Sequence, residues 1–218
     1  MKKRLFFVLS ILCLSLSSCV SFSNEQLSEG LNFSDKDSEE ESINTDFYTG
    51  DSLPLTANQI MQIKFSSSES EGKYISTKEE LESTIDNYEN VITSLNSTKY
   101  VSQGFNGLKI GISSSKTFAK LDIDLSRSFK YVEIIACPRI SYVFDYSLNK
   151  TVCNIDTDTS LKVNEKKFIQ IKNISEEDID SNDYMTKMVF LVEETSNLKL
   201  YEYNNRAIIQ SITFYSEI

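Results

Sequence analysis

The 218-residue chain contains no histidine and no tryptophan. Without histidine, neither a Ser-His-Asp nor a Cys-His arrangement is available for nucleophilic catalysis. The commonest zinc ligand is missing as well. Without tryptophan the strongest stacking surface for sugar rings is gone, and eleven tyrosines are left to replace it in part. A surplus of basic charge is also lacking: 22 Lys and Arg stand against 32 Asp and Glu, a net charge of −10 at pH 7. Such a chain carries neither the basic footprint of nucleic-acid binding nor a polybasic patch for anionic lipid. Nucleic acid is therefore not expected as a partner. The apolar run Leu5 to Leu16 is about a dozen residues, too short for a helix across a membrane, which needs ~20.

What that run does fit is a secretory leader. Met1-Lys2-Lys3-Arg4 supplies positive charge, Leu5 to Leu16 the apolar segment, and Ser17 and Ser18 the small residues before Cys19. Leu16-Ser17-Ser18-Cys19 resembles the lipobox of bacterial lipoproteins. The resemblance implies that Leu16, Ser17 and Ser18 are read by the signal peptidase. It also implies that Cys19 is acylated and becomes the first residue of the mature chain. An ordinary signal peptide with an incidental cysteine is the alternative. Each buried CH₂ adds ~0.8 kcal/mol to membrane affinity, so two or three acyl chains hold stably where one does not. Position 20 is Val rather than Asp. In the family an Asp there favours the inner membrane, so its absence allows an outer membrane. The expected location is the extracytoplasmic side of the cell membrane or outer membrane, lipid-anchored.

Removal of residues 1–18 takes Lys2, Lys3 and Arg4 with it and leaves a net charge of −13. Nine acids and one Lys lie between Val20 and Ser52, so most of that charge belongs to this segment. Low hydrophobicity with high charge cannot offset the entropy of ordering. Residues 19–52 therefore read as a disordered acidic tether behind the lipidated Cys. A flexible coil of that length spans roughly 30 Å.

Four cysteines are present. Cys13 leaves with the leader and Cys19 is the candidate for acylation. Cys137 and Cys153 remain, an even pair in an exported chain and a candidate disulfide. Two buried free thiols are the alternative. With no histidine to activate it, neither cysteine is a candidate nucleophile.

The body, residues 53–218, has the patterning of strands. Leu53 to Phe65 reads as the first. One helix is expected near 77–90, opened by overlapping capping boxes, Ser76 with Glu79 and Thr77 with Glu80. Leu81, Ile85 and Tyr88 continue it at helical spacing. From Lys99 the period is two. Leu108 to Ile112 is a short strand, and Leu121, Ile123 and Leu125 alternate with Lys120, Asp122 and Asp124, as for a strand with one wet face. Val132 to Ala136 follows, then a hairpin of Tyr142–Tyr146 with Thr151–Ile155. A second hairpin joins Leu161–Val163 to Lys167–Ile171 through the two residues Asn164-Glu165. Met188–Val192, Leu198–Tyr201 and Arg206–Tyr215 complete the set. Short strands with polar turns argue for an all-β, antiparallel β-sandwich. The crossover helices of a parallel α/β fold are absent.

Leu108-Lys109-Ile110-Gly111, Leu161-Lys162-Val163-Asn164 and Ile209-Gln210-Ser211-Ile212-Thr213-Phe214-Tyr215 together resemble the jelly-roll-like accessory modules of exported proteins from AT-rich bacteria. The resemblance covers about residues 105–215, roughly half the chain. It implies a jelly-roll-like sandwich that accompanies nucleases, adhesins or other surface proteins, and it brings no catalytic residue. Asn164-Glu165 departs from the Asn-Gly expected at that turn.

Among polar constellations, Asn154 to Ser160 places oxygen side chains at alternate positions. Asp156 and Asp158 are the candidate ligands for a structural Ca²⁺, since hard cations take carboxylates. An EF-hand is excluded by Asn154 in its first position and Thr159 where Gly is required. A solvated polar turn is the alternative, as it is for Glu176, Glu177, Asp178, Asp180 and Asp183. No other cofactor is expected. Tyr142 and Tyr146, with Tyr131, Tyr201, Tyr203 and Tyr215, could form an aromatic strip for sugars or proteins, or could be ordinary core-edge packing.

The expected function is that of a membrane-anchored surface lipoprotein acting as a non-catalytic binding or structural module. A carbohydrate-binding module for extracellular or cell-wall polysaccharide is the second reading, and a hydrolase using only carboxylates the third. The expected partners are the membrane, through the lipid, and a polysaccharide or surface protein.

Overall fold

The computed structural model describes residues 48–68, 72–86, 92–98, 100–113 and 119–217. The leader, the lipobox positions Leu16, Ser17 and Ser18, Cys19, and the tether up to residue 47 lie outside them. In chain order the elements are β1 (Tyr48–Gly50), β2 (Ala57–Phe65), α1 (Lys78–Glu82), β3 (Ile85–Asp86), β4 (Ile92–Ser97), β5 (Val101–Gly104), β6 (Gly107–Gly111) and β7 (Ala119–Pro138). There follow β8 (Ile140–Asp145), β9 (Lys150–Ile155), β10 (Ser160–Val163), β11 (Ile169–Gln170), α2 (Glu176–Asp180), β12 (Thr186–Tyr203) and β13 (Arg206–Glu217).

Two long strands organise the sandwich. The first half of β7 pairs with β4 on one side and with the second half of β12 on the other. The second half of β7 pairs with the first half of β12 and with β13. Both strands thus pass from one sheet region into the other. The register slips in β12 between Leu191 and Thr195 and again before Asn197, and such bulges bend a strand and strengthen its twist. One region runs β11-β10-β12-β7-β4. The other carries β12-β7-β13-β2-β3, with β6 and β5 continuing from β13. One core cluster unites them, with Leu121, Ile123, Leu198 and Leu200 from the first and Val132, Ile134, Ile212 and Phe214 from the second. Phe129 and Phe214 meet edge to face at 4.9 Å. The fold is an all-β, mostly antiparallel sandwich, as the alternation of apolar residues indicates.

Several details differ from the sequence reading. Met188–Val192 and Leu198–Tyr201 are one strand, because a bulge absorbs the polar residues 193–196 without ending the pairing. The tether does not stay free as far as Ser52. Tyr48–Gly50 forms a parallel strand against Lys187–Val189. Asp51 closes this clamp: its amide donates to the Val189 carbonyl at 2.8 Å and its Oδ2 accepts from the Leu191 amide at 2.7 Å. Gly50 permits the approach. It sits at φ +101°, and a Cβ there would lie 2.3 Å from the Val189 oxygen.

The expected helix is one turn only. Of the two capping boxes, Thr77 with Glu80 forms. The Glu80 carboxylate accepts from the amides of Ser76 and Thr77, and these bonds hold it below the usual carboxylate range. The hydroxyls of Ser83 and Thr84 then take the Glu80 and Leu81 carbonyls, which ends the helix before Ile85. The acidic segment Glu176 to Asp183 holds a second one-turn helix, α2, capped reciprocally by Ser175 and Asp178. The second hairpin connection is longer than two residues: Asn164 to Phe168 separate β10 from β11, with Asn164 at φ +51°.

Candidate functional site

Alternation along β4, β7, β12 and β10 sends the apolar residues inward and builds a polar and aromatic outer face. Register places Ser94, Asp124 and Asn197 in one row. Asn96, Asp122 and Lys199 form the next, and Lys120, Tyr201 and Lys162 the third. Phe168 and Tyr203 border this face, with ring centroids 5.6 Å apart. The Lys162 ammonium lies 4.8 Å from the Tyr201 ring centre and 5.3 Å from that of Phe168, a cation–π pair on either side.

A hydrogen-bonded network stiffens the rows. Asn197 Nδ2 donates to Asp122 Oδ1 at 2.8 Å and to Asp124 Oδ1 at 2.7 Å. Lys120 pairs with Asp122 at 2.8 Å, and the Ser94 hydroxyl donates to Asp124. Burial pushes the Asp122 carboxyl up, but the bonds from Lys120 and Asn197 outweigh it and hold the group below its ordinary value. Asp124 is lowered by Ser94 first and Asn197 second. Both carboxylates are therefore ionised near neutrality. A carboxylate pair that cleaves glycosides needs one member kept protonated, and this pair keeps neither. Where β10 ends, Asn164 continues the pairing through its side chain. Its Oδ1 accepts from the Lys199 amide at 2.7 Å, and its Nδ2 donates to the Asn197 carbonyl at 3.2 Å. A cleft of about 500 Å³ opens beside it, lined among others by Glu165, Lys166 and Thr195.

The candidate calcium ligands Asp156 and Asp158 have different partners. Asp156 is buried and taken by Arg206: Nε donates to Oδ2 at 2.6 Å, Nη2 to Oδ1 at 2.8 Å, and the Arg206 amide to Oδ2 at 3.2 Å. Asp158 is exposed, at φ +57°, and engages Asn173 and Gln170. Among the described residues no group of three or more His, Cys, Asp or Glu could hold a metal. Of the acidic loop, Asp178 and Asp183 are paired with Lys172 at 3.2 and 3.0 Å.

Cys137 and Cys153 are free thiols in the structure, the alternative to the candidate disulfide. Cys137, one residue before the end of β7, lies inside a small second cluster with Met185 and Ile208, and burial pushes its thiol up to about 12. Cys153 lies on β9 opposite Tyr142. Partial burial raises its thiol, with the charges of Glu176 and Asp180 adding to the shift.

The tyrosines do not form one strip. Tyr131 is buried, Tyr201 and Tyr203 lie on the outer face, and Tyr142 stands exposed on the separate β8–β9 hairpin. Tyr146 lies in the turn beyond β8, not on its strand. Sequence reasoning missed Phe168 and Lys162 as companions of Tyr201. The usable signal was the shared outward phase of Lys162 and Tyr201. It also missed Glu202, which is fully buried. Its Oε1 accepts from the Asn205 amide at 2.8 Å. Its Oε2 has no hydrogen-bond partner and lies against Gly111, where a Cβ would come within 2.6 Å of it. Burial pushes this carboxyl up to about 8, the Ala119 backbone opposing and the Asp156 charge adding to the rise.

No family model matches the chain, and no curated protein matches it. Among solved structures it is similar to a 4-O-methyl-alpha-glucuronidase with specificity for decorated arabinogalactans, at 13% identity and a TM-score of 0.32. That match covers 77% of this chain and 19% of the glucuronidase chain, so the chain spans about a fifth of that enzyme's length.

Proposed function

We propose that the chain is a membrane-anchored surface lipoprotein whose β-sandwich acts as a non-catalytic binding module on the extracytoplasmic side. The observation that carries this reading is the outer face of β4, β7, β12 and β10. There Tyr201, Tyr203, Phe168 and Lys162 stand beside a pre-ordered network of Asp122, Asp124 and Asn197. Side chains already fixed by one another lose little freedom when a ligand arrives. The leader and the Cys19 lipobox supply the location.

The same face favours polysaccharide as the ligand over a protein. Rings beside ionised carboxylates and amides match the apolar faces and hydroxyl rims of sugars. Its cleft is lined by both polar and apolar groups, Glu165, Lys166 and Asn197 with Val192, as suits a sugar chain. Retention on cell-wall and extracellular polysaccharides, by glycan array or pull-down, tests this. Tyr203→Ala with Phe168→Ala should lower retention at least tenfold while leaving the melting temperature within a few degrees. Absence of any retained glycan for the wild-type chain would sink the polysaccharide reading.

A further inference from the structure

The β8–β9 hairpin is a two-stranded sheet of its own, outside the main sheet order. Its tip is the most apolar exposed part of the described residues. Tyr142, Val143, Phe144, Tyr146 and Leu148 fall within seven positions, and each is between 44 and 89% exposed. Antiparallel register puts Tyr142 and Phe144 on one face and Val143 on the other. Tyr146 and Leu148 crown the turn. A flat partner covers one face of a ribbon. Apolar groups on both faces and on the turn are covered together only when the tip enters a medium or a socket.

The tip is also prepared to leave water. The Asp145 carboxylate accepts from the Ser147 amide at 2.8 Å, the Leu148 amide at 3.2 Å and the Ser147 hydroxyl at 2.6 Å. These three donors are thus satisfied within the turn, which lowers the cost of removing them from water. Asp145 and Lys150 face each other in register between Phe144 and the turn, so the two charges within the tip are of opposite sign. Tyrosine, phenylalanine and leucine are the residues that settle at a lipid interface.

Topology supplies the occupant. The hairpin leaves the end of β7 at Pro138, where Ala136 pairs with Thr186, the first residue of β12. The chain arriving from Cys19 enters at that same end, with Tyr48 opposite Lys187. Only 28 residues separate Cys19 from Tyr48, so the anchor is close in sequence to the strand that enters at this end.

We propose that the tip of the β8–β9 hairpin inserts into the lipid interface of the membrane that carries the anchor, as a second attachment point that orients the body. This rests on the lipoprotein reading for its location, and its test is separable from that reading. The chain has no tryptophan, so Leu148→Trp places a single reporter at the tip, with Tyr146→Trp as a second reporter should the first misfold. Each is introduced into the full chain with Cys19 intact and with Cys19→Ala, and presented to phosphatidylcholine vesicles with and without brominated acyl chains. Insertion predicts blue-shifted emission, quenching by the brominated lipid, and at least a tenfold loss of vesicle partition for the Cys19→Ala chain when Tyr142 and Phe144 are also changed to Ser. Water-like, unquenched emission from a lipidated chain would overturn insertion and leave the anchor standing. Quenching in the Cys19→Ala chain, which carries no lipid, would support insertion independently of the anchor. An emission shift given by polysaccharide but not by vesicles would assign the tip to a glycan socket and overturn the proposal.

Discussion

Glu202→Gln should make the protein more stable at neutral pH. Glu202 is fully buried, with one oxygen bonded to the Asn205 amide and the other without a hydrogen-bond partner beside Gly111. Its carboxyl titrates near 8 in the fold against an ordinary value of 4.5. Between these values the folded chain holds a proton that the unfolded chain has lost. The stability associated with that proton is complete below about pH 4.5 and drains away as pH rises through 8. The loss reaches about 1 kcal/mol at pH 5 and about 3 kcal/mol at pH 7, as an upper figure before relaxation around the site. Gln keeps the shape and the acceptor for Asn205 but cannot ionise, so the variant escapes the loss. Urea unfolding followed by far-UV circular dichroism at pH 5.5, 7 and 8 checks this. Asp122, Asp124 and Asp178 have depressed values and act with the opposite sign, lending stability that is lost below about pH 5. The difference between variant and wild type isolates Glu202. That difference should widen from pH 5.5 to 8 by up to about 3 kcal/mol. Parallel curves across the range would refute the reasoning, and so would a variant less stable at pH 8 than at pH 5.5 relative to wild type.

Three further outcomes follow from named contacts. Asp156→Ala removes the carboxylate from a largely buried Arg206 and should cost about 3 kcal/mol in urea unfolding, the low end for a buried pair because Arg206 keeps some access to water. Gly50→Ala places a Cβ against the Val189 carbonyl at a left-handed position; it should release the β1 clamp and raise amide exchange at Leu191 at least tenfold. Of the two thiols in the body, Cys153 should react with a maleimide under native conditions while Cys137, with its thiol pushed up to about 12 and buried, reacts only on unfolding.

Much of the sandwich is legible from phase. Leu121, Ile123 and Leu125 announce one buried face, and the hairpin of Tyr142–Tyr146 with Thr151–Ile155 is where period two places it. The merging of two strands into β12 was not legible, because Glu193 to Ser196 has the polarity of a turn and only pairing with β7 keeps it in the sheet. The β1 clamp was hidden for a similar reason. Tyr48-Thr49-Gly50 is too short to show a period beside an acidic run. Glu202 was readable in principle: Leu198, Leu200 and Glu202 share one phase, and the surprise lies in residue type rather than position. The bidentate pair of Asp156 with Arg206 joins positions 50 apart in the chain, a contact that only the tertiary fold brings together. The local oxygen pattern of Asn154 to Ser160 says nothing of Arg206, which holds the Asp156 carboxylate in the fold. The outer face needed register: Lys120, Tyr201 and Lys162 become neighbours only once three strands are aligned.

The central claim is that this β-sandwich works from a lipid anchor at Cys19. Metabolic labelling with a clickable fatty acid, followed by membrane fractionation of the wild-type chain and of Cys19→Ala, addresses it most directly. The account predicts a labelled, membrane-bound wild-type protein of mature size, and a Cys19→Ala chain that is unlabelled and incorrectly processed. An unlabelled wild-type protein, or a Cys19→Ala chain processed and fractionated like wild type, would contradict it.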